Sequence, residues 1–460
     1  MKNVAFHNLG CKVNSYEMEV MQQKLQEKGY HIVAFDDIAD IYIINTCTVT
    51  NIADRKSRQM LHRAKQKNPA AVVVAVGCYV QTGRDALEKD DSIDLVVGNN
   101  RKKDIVEILE GFLAARKESG KDKRNPQNIP LPDKTLGGTT VLDIAHIDEY
   151  EEMQLKQTAE HTRAYIKIQD GCNQFCSYCA IPLARGRVRS RSEEDILQEI
   201  RGMVAAGYRE AVLTGIHISS YGADFGRNVD SADRLMDLIQ RIHDIEGLER
   251  IRLGSLEPRI ITPLTADRLA ALPKLCPHFH LSLQSGCDAT LKRMNRHYTT
   301  GEYCESVERL RSVFDHPAIT TDVIVGFPGE TEEEFSVTRD FLEKIAFYEM
   351  HIFKFSRRNG TAAAKMPDQI SEEIKTRRSN TLFQLESRQS KAFRSRYIGK
   401  NAEVLLEETK SINNKDYLLG HTKDYVKIAV PLPEDKLHPG QLITVPVTDF
   451  LTDEILLAEL

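Results

Sequence analysis

The stretch that decides the fold is Gly171-Cys172-Asn173-Gln174-Phe175-Cys176-Ser177-Tyr178-Cys179, which spaces three thiols four and three residues apart. It directly follows an apolar run at 165–168 that predicts a strand. A structural zinc site needs a fourth ligand, and no second CxxC or HxxxH pair follows, so a distant residue such as His161 would have to complete it. Three thiolates on a [4Fe–4S] cluster instead leave one iron open to a substrate or cofactor. The spacing therefore favours a reactive cluster over a zinc site.

The CxxxCxxC pattern resembles the signature of the radical S-adenosylmethionine (SAM) enzymes. Between about residues 163 and 358, six strand-then-helix segments follow one another, and turn or cap signals such as those at 190–194 and 329–333 precede the helices. This order predicts an open, partial (β/α)6 radical SAM barrel with its chemistry at the carboxyl ends of the strands.

The resemblance also implies which strand-end residues contact SAM. The candidates are Ser282 and Gln284 for its amino-acid or ribose end, Ile324 and Phe327 for the adenine, Gly326 for close backbone approach, and Glu257 and Arg185 for the charged ends of its methionine. Strand-end packing or a loop turn is the alternative role of each. The chain departs from the pattern at 215–217, which reads Gly-Ile-His where many radical SAM enzymes carry a Gly-Gly-Glu-type motif.

Four alternating arginines follow the cluster stretch, namely Arg185, Arg187, Arg189 and Arg191. In an extended segment, this spacing lines one face with guanidinium groups suited to phosphates or to the SAM carboxylate. Ordinary salt-bridged arginines are the alternative.

A second set of three cysteines lies in the N-terminal region, where apolar runs alternate with amphipathic segments and predict a doubly wound parallel sheet. Cys11, Cys47 and Cys78 each follow a predicted strand. Because parallel strands end at one edge of a sheet, we expect the three thiols to converge there. We interpret them as ligands of a second, auxiliary [4Fe–4S] cluster with one open iron, and three buried structural cysteines are the alternative.

Composition limits the function classes that remain. The 460 residues carry a net charge of −5, and no apolar run approaches the ~18 residues of a membrane span. The N-terminus lacks the apolar core of a signal peptide, so we expect a cytoplasmic protein whose nine cysteines serve thiol or metal chemistry. Net charge does not indicate nucleic-acid binding, so any RNA contact must come from local basic patches.

Four segments are expected from these patterns. They are an N-terminal α/β domain at 1–116, a linker at 117–160, the radical SAM domain at 161–390 and a small β-barrel at 391–460. Short alternating segments in the last part predict a barrel of the oligonucleotide-binding kind, and they resemble the RNA-binding TRAM domain. That segment carries nine Lys or Arg against eleven Asp or Glu, so RNA binding there depends on a few placed residues.

The three parts together resemble the methylthiotransferase family of radical SAM enzymes. The resemblance is carried by the N-terminal cysteine trio, the CxxxCxxC stretch and the TRAM-like tail in this order, and the stretches at 5–14 and 179–187 look closest to the MtaB type. It implies two [4Fe–4S] clusters, SAM, an electron donor such as flavodoxin or ferredoxin, and no membrane or DNA partner. The implied substrate is N6-threonylcarbamoyladenosine at position 37 in the tRNA anticodon loop, which gains a 2-methylthio group.

The resemblance implies a radical mechanism as well. An electron delivered to the Cys172/Cys176/Cys179 cluster would cleave SAM to a 5′-deoxyadenosyl radical, which takes hydrogen from C2 of the unstacked base. The Cys11/Cys47/Cys78 cluster would hold the sulfur, which a second SAM methylates. Three alternatives stay open. They are isopentenyladenosine in tRNA as the substrate, a ribosomal-protein aspartate as the substrate, and an iron–sulfur electron carrier or RNA-binding sensor without catalysis.

Overall fold

The computed structural model describes residues 2–119, 134–136, 140–156, 162–226, 230–432 and 437–459. Much of the linker predicted at 117–160 therefore lies outside the described residues, as does His161. Where the chain is described, no helix combines the length and the apolar character needed to cross a bilayer.

The chain divides into two compact units, each built from three segments of sequence. Unit 1 comprises Met1–Leu155, Gln169–Arg191 and Ser356–Ala364, and unit 2 comprises Lys156–Ile168, Ser192–Phe355 and Lys365–Leu460. Unit 1 therefore contains the cluster stretch that the sequence places at the start of the radical SAM segment. The domain boundaries proposed from the sequence stay a prediction.

The strands of the described residues are β1 Asn3–Asn8, β2 His31–Val33, β3 Ile41–Thr46, β4 Val72–Gly77, β5 Leu95–Val97, β6 Ala164–Lys167, β7 Gln169–Asp170, β8 Arg189–Ser190, β9 Glu210–Thr214, β10 Arg250–Leu253, β11 His278–His280, β12 Ala318–Val325, β13 Glu349–Lys354, β14 Asn401–Ile412, β15 Lys415–His421, β16 Lys427–Pro431, β17 Leu442–Thr452 and β18 Ile455–Ala458. The α-helices are α1 Lys12–Glu27, α2 Asn51–Lys67, α3 Cys78–Thr82, α4 Arg84–Glu88, α5 Ile105–Ser119, α6 Ile181–Arg185, α7 Glu193–Ala205, α8 Ser231–His243, α9 Pro263–Ala270, α10 Asp288–Arg293, α11 Thr300–Val313, α12 Glu332–Ile345 and α13 Glu372–Ser395.

Unit 1 is organised around a five-stranded parallel sheet with the order β2-β1-β3-β4-β5. The central strands β3 and β4 are buried along their whole length, which explains why they consist mostly of Val, Ile and Ala. The parallel α/β prediction is confirmed for this part of the chain. In this strand order the direction of winding reverses between β1 and β3, and ligands bind outside the carboxyl ends of strands at such a point.

Unit 2 contains the six predicted parallel strands in two groups, ordered β10-β9-β6 and β11-β12-β13. A parallel bridge between Leu256 and Leu281 connects the segments that follow β10 and β11. Strand β11 ends at His280, so the SAM candidates Ser282 and Gln284 lie beyond it. Gln284 still forms a parallel bridge with Val323 of β12, which keeps this segment next to the sheet.

Side-chain caps fix where the helices of unit 2 begin. Ser192 accepts a hydrogen bond from the backbone N–H of Asp195 at the start of α7. Thr331 and Glu334 form a reciprocal capping box at the start of α12. Both caps lie within the cap signals at 190–194 and 329–333 from which the sequence predicted the starts of these helices. They set the lengths of the loops that connect the carboxyl ends of the strands to the helices.

The C-terminal strands form a closed barrel with the order β14-β15-β16-β18-β17. Its core is apolar and includes Val404, Leu406, Ile428, Val445 and Leu456. Its shortest strand, β18, has only four residues. The proposed boundary at 390/391 falls inside helix α13, which runs continuously to Ser395.

Candidate functional site

The N-terminal cysteine trio occupies three loops at the carboxyl edge of the unit 1 sheet. Cys11 follows β1 and caps α1, Cys47 directly follows β3, and Cys78 follows β4 as the first residue of α3. Cys47 and Cys78 are buried, whereas Cys11 retains exposed surface. These three strands are neighbours in the sheet, so the structure brings the three thiols to one edge as the sequence predicted.

Electrostatic effects among the three thiols also show that they converge. Burial raises the pKa of Cys47 to about 11, and the charges of Cys78 and Cys11 contribute to that increase. Desolvation of its sulfur likewise raises the pKa of Cys11, although the residue has surface in solvent, and the charge of Cys78 acts in the same direction. Each sulfur therefore lies within electrostatic reach of another.

Two asparagines stabilise the floor of this trio. Asn14 Nδ2 donates to Asn45 Oδ1 at 3.0 Å and to the Thr46 carbonyl at 3.2 Å, while its Oδ1 accepts from Cys11 Sγ at 3.5 Å. Gly77 has a φ of +96°, and a Cβ there would lie 2.5 Å from Asn45 Oδ1. The glycine is therefore required for Cys78 to follow β4 at this position.

The CxxxCxxC trio lies in a loop that a short antiparallel pair closes in the same unit. Strand β7 pairs with β8, and Cys172 donates its backbone N–H to the Gly186 carbonyl at 3.1 Å. Gln174 donates its backbone N–H to Cys172 Sγ at 3.4 Å. All three cysteines are partly exposed. An accessible, hydrogen-bonded sulfur is typical of an iron–sulfur ligand.

The donor chemistry of both trios fits iron–sulfur clusters. All six cysteines are free, and each trio supplies three sulfur ligands from unit 1. Thiolates are the ligands that hold [4Fe–4S] clusters, and three of them leave one iron open to another group. The residues present therefore fit two [4Fe–4S] clusters with three thiolates each.

Arg185 does not fit the SAM contact predicted for it, and we correct that assignment. The residue is fully buried within unit 1, where its five N–H groups face Glu17, Asp170, Asn14 and the sulfur of Cys78. Burial opposes its charge, but Asp170, Cys78 and Glu17 hold the pKa of Arg185 well above its usual range. No donor remains for a SAM carboxylate.

The prediction that four alternating arginines line one face suited to phosphates is also wrong. Arg185, Arg189 and Arg191 are buried, and Arg189 donates to the Arg185 carbonyl at 2.8 Å. Only Arg187 of the four is exposed, and its guanidinium lies 4.3 Å from the centre of the Phe175 ring. The pattern assumed an extended chain, whereas Arg185 ends helix α6.

The remaining SAM candidates lie in unit 2 and differ in accessibility. Ser282 and Ile324 are half-buried, and Gln284 has an unusual φ of +72° beside β12. Phe327 has no exposed surface and packs against Phe355 with ring centres 5.4 Å apart, so we correct its assignment to the adenine.

Gly326 is explained by its own surroundings, without a ligand. It has a φ of +71°, a Cβ would lie 2.3 Å from Lys375 Cγ, and its N–H donates to Glu330 at 2.6 Å. A side chain at this position is therefore excluded by backbone conformation and by Lys375 together.

Glu257 lies next to the position where the chain departs from the usual motif. Its carboxylate is 3.7 Å from His217 Nε2 and 3.2 Å from Arg259 Nε. Burial lowers the pKa of His217, while Glu257 acts in the opposite direction. Glu257 therefore places a carboxylate beside the segment at 215–217.

Sequence reasoning missed a polar group on β11, β12 and β13. His280 Nε2 lies 3.5 Å from Asp322 Oδ2, and the rings of His280 and His351 stack 5.8 Å apart. His280 and Asp322 precede the SAM candidates Ser282 and Ile324 by two positions, and Asp322 and Ile324 share one face of β12. The alternation His-x-Ser-x-Gln at 280–284 was the available signal.

Two family models match separate parts of the chain. A family described as "Uncharacterized protein family UPF0004" matches residues 3–98, and the Radical SAM superfamily matches residues 166–342. A structure of the radical SAM methyltransferase TsrM from Kitasatospora setae covers 77% of this chain and 75% of its own with a TM-score of 0.53. At 17% identity, that likeness shows the fold alone.

Two curated relatives extend over nearly the whole chain. Threonylcarbamoyladenosine tRNA methylthiotransferase MtaB of Bacillus subtilis is 38% identical over 97% of this chain and 94% of its own length. tRNA-2-methylthio-N(6)-dimethylallyladenosine synthase of Finegoldia magna is 33% identical over 96% of this chain and 91% of its own length. The chain therefore belongs to the methylthiotransferase family of radical SAM enzymes and is of the MtaB type.

Proposed function

We propose that this protein is the tRNA methylthiotransferase that converts N6-threonylcarbamoyladenosine at position 37 into its 2-methylthio derivative. The observation that carries the proposal is the 38% identity with an MtaB enzyme over 97% of the chain. Similarity at this level extends over nearly the whole chain, so it is not confined to one of its segments. We assign the enzyme to the cytoplasm, where tRNA is modified.

We assign the two cysteine trios to two [4Fe–4S] clusters. When bound, the Cys172/Cys176/Cys179 cluster supplies reductive cleavage of SAM, and the Cys11/Cys47/Cys78 cluster supplies the sulfur. Each trio leaves one ligand position to a non-protein group. An external reductant of the flavodoxin or ferredoxin class provides the electron.

The protein's own groups would keep both sites selective. Burial of Cys47 and Cys78 shields two of the three ligand sulfurs of the auxiliary site from water, which limits loss of sulfur to hydrolysis. Backbone N–H donation from Gln174 orients the Cys172 sulfur. In unit 2, Glu257, Ser282, Gln284 and Ile324 stay our candidates for SAM contacts.

The C-terminal barrel supports an RNA substrate through its architecture. Closed five-stranded barrels are a common scaffold for binding oligonucleotides, and we propose that this one acts as a TRAM-type module on the anticodon stem-loop. An anticodon-loop base is already unstacked in part, so its delivery to the chemistry costs little. Because the barrel is slightly acidic, we expect it to bind RNA through a few specific side-chain contacts and not through a general positive electrostatic potential.

Isopentenyladenosine in tRNA is a second candidate substrate. The Finegoldia magna relative, which is 33% identical, is named for this nucleoside under its other name, N(6)-dimethylallyladenosine. Mass spectrometry of tRNA nucleosides from cells with and without the gene separates the two. Loss of 2-methylthio-N6-threonylcarbamoyladenosine with accumulation of its parent supports our proposal. Loss of the methylthio group from isopentenyladenosine would replace the substrate, and an unchanged nucleoside profile would contradict both.

The two-cluster assignment has its own test with the purified enzyme. Cys78→Ala should retain SAM cleavage to 5′-deoxyadenosine but form no methylthiolated tRNA, because only the auxiliary site is damaged. Cys304→Ala is the matched control, since Cys304 lies on α11 and contacts Glu308. Methylthiolation by the Cys78 variant at the rate of the control would contradict the assignment.

A further inference from the structure

Arg185 connects the segment after one cysteine trio to a cysteine of the other. It is the last residue of α6, which begins two residues after Cys179. Its Nε donates to Cys78 Sγ at 3.3 Å, although 107 residues separate the two in sequence. The neighbouring Ala184 carbonyl accepts from Asn99 Nδ2 at 2.6 Å, and the same amide lies 3.8 Å from Cys78 Sγ.

The guanidinium cannot rotate in this environment. Its Nη1 donates to Glu17 at 2.8 Å and to Asp170 at 3.0 Å, and its Nη2 donates to Glu17 at 3.0 Å and to Asn14 at 2.9 Å. Bidentate bonds to carboxylates fix the plane of the group. The remaining Nε–H must then point at Cys78.

The charged groups around Arg185 form a buried network beside Cys78. Glu17 forms a second buried ion pair with Lys102, and Asp170 lies 3.8 Å from Arg189. These five groups comprise two carboxylates and three cations, so together they carry one net positive charge. A positive group and an N–H donor beside a sulfur stabilise the negative charge of a thiolate ligand.

Hydrogen bonds to ligand sulfurs are one of the means by which proteins set the reduction potential of an iron–sulfur cluster. Reduction adds negative charge to the cluster. A fixed N–H···S bond therefore stabilises the reduced form more than the oxidised form and raises the potential.

We propose that Arg185 is a positioning residue that holds the Cys78 thiolate and raises the reduction potential of the auxiliary cluster. This inference rests on the proposed function only in taking Cys78 as a cluster ligand. It gives Arg185 a role toward the N-terminal trio, although it lies in the stretch that carries the SAM-binding signature. It also explains why a buried arginine stands where a smaller apolar residue would cost no desolvation.

The test compares Arg185→Lys and Arg185→Met with Arg187→Met in the reconstituted holoenzyme. Lysine keeps the charge for Glu17 and Asp170, but it lacks the planar fork that reaches Cys78 at the same time. Arg187 is a matched control, because it is exposed and its guanidinium lies over the Phe175 ring. Iron content and a redox titration followed by electron paramagnetic resonance are measured, with SAM added to distinguish the signal of the SAM-binding cluster.

We expect Arg185→Lys to retain its iron but to show a lower potential for the auxiliary cluster alone. Arg185→Met should lose about half of the bound iron, which is one of two equal clusters. Arg187→Met should match the parent protein in iron content and in the auxiliary potential. An unchanged auxiliary potential in Arg185→Lys would overturn the proposal, as would an equal shift in the control. Neither readout uses tRNA, so a wrong substrate leaves this result unaffected.

Discussion

Gly171 provides a sharp test of how the cluster stretch is held. It has a φ of +69° and stands between β7 and Cys172. A Cβ built there would lie 1.7 Å from the Arg187 carbonyl oxygen and 2.9 Å from that of Gly186. Both contacts are with backbone, and the Gly186 carbonyl also accepts the N–H of Cys172. Gly171→Ala therefore has to displace the strand pair that closes the loop.

The destabilisation expected for Gly171→Ala has two parts, backbone strain and steric overlap, and Gly29→Ala measures the first part alone. Gly29 belongs to the same unit and has a φ of +91°, but a Cβ there meets nothing within 4 Å. Gly29→Ala should therefore cost only the left-handed backbone strain, about 1–2 kcal/mol. Gly171→Ala adds overpacking against backbone, about 1–3 kcal/mol more. The total of roughly 2–5 kcal/mol is a large fraction of a typical domain stability of about 5–15 kcal/mol.

Urea unfolding of the cluster-free variants and iron content after reconstitution measure the two effects. Gly29→Ala should bind the full complement of iron, whereas Gly171→Ala should lose the iron of the Cys172/Cys176/Cys179 cluster. Equal unfolding midpoints for the two variants, together with full iron loading of Gly171→Ala, would refute the reasoning.

Two further predictions concern unit 2. Glu210→Gln should destabilise the protein by about 3–5 kcal/mol in urea unfolding, because it leaves the buried Arg252 without its carboxylate partner at 2.7 Å. Glu249→Gln breaks a half-exposed pair and should cost less than about 1 kcal/mol, and equal costs would contradict the role of burial. The hydrogen bond from Arg293 lowers the pKa of Glu334, so this carboxylate stabilises the fold above its unfolded pKa of about 4.3 and stops doing so as the pH falls through the folded value. Glu334→Gln should therefore flatten the loss of stability between about pH 5 and 3, and a curve parallel to that of the parent would contradict this.

The position of the N-terminal trio could be predicted from sequence because it depends on topology alone. Strands that read as continuous apolar runs must be central and parallel, and parallel strands end at one edge. Cys11, Cys47 and Cys78 therefore converge without any knowledge of side-chain packing.

Arg185 could not be placed by the same reasoning. Alternation of four arginines has meaning only in an extended chain, whereas the chain is helical up to Arg185 and extended again at Arg189. Its partners Glu17 and Cys78 are more than 100 residues away in sequence, so no local sequence pattern could predict these contacts. Phe327 was misplaced for a related reason. Its strand-end position suggested a ligand contact, but the ring is buried and packs against Phe355.

The division of the chain into units bears on how the two cysteine trios acquire their iron. Both cysteine trios belong to unit 1, although the sequence match to the Radical SAM superfamily includes only the second. Arg185 and Asp170, which come from the second trio's segment, complete the hydrogen bonds around Glu17 and Cys78 of the first. Folding of unit 1 should therefore prepare both trios, and substitutions within this unit, such as Gly171→Ala and Arg185→Met, should reduce the bound iron. Glu210 lies in unit 2, so Glu210→Gln should lower stability with a smaller effect on iron content.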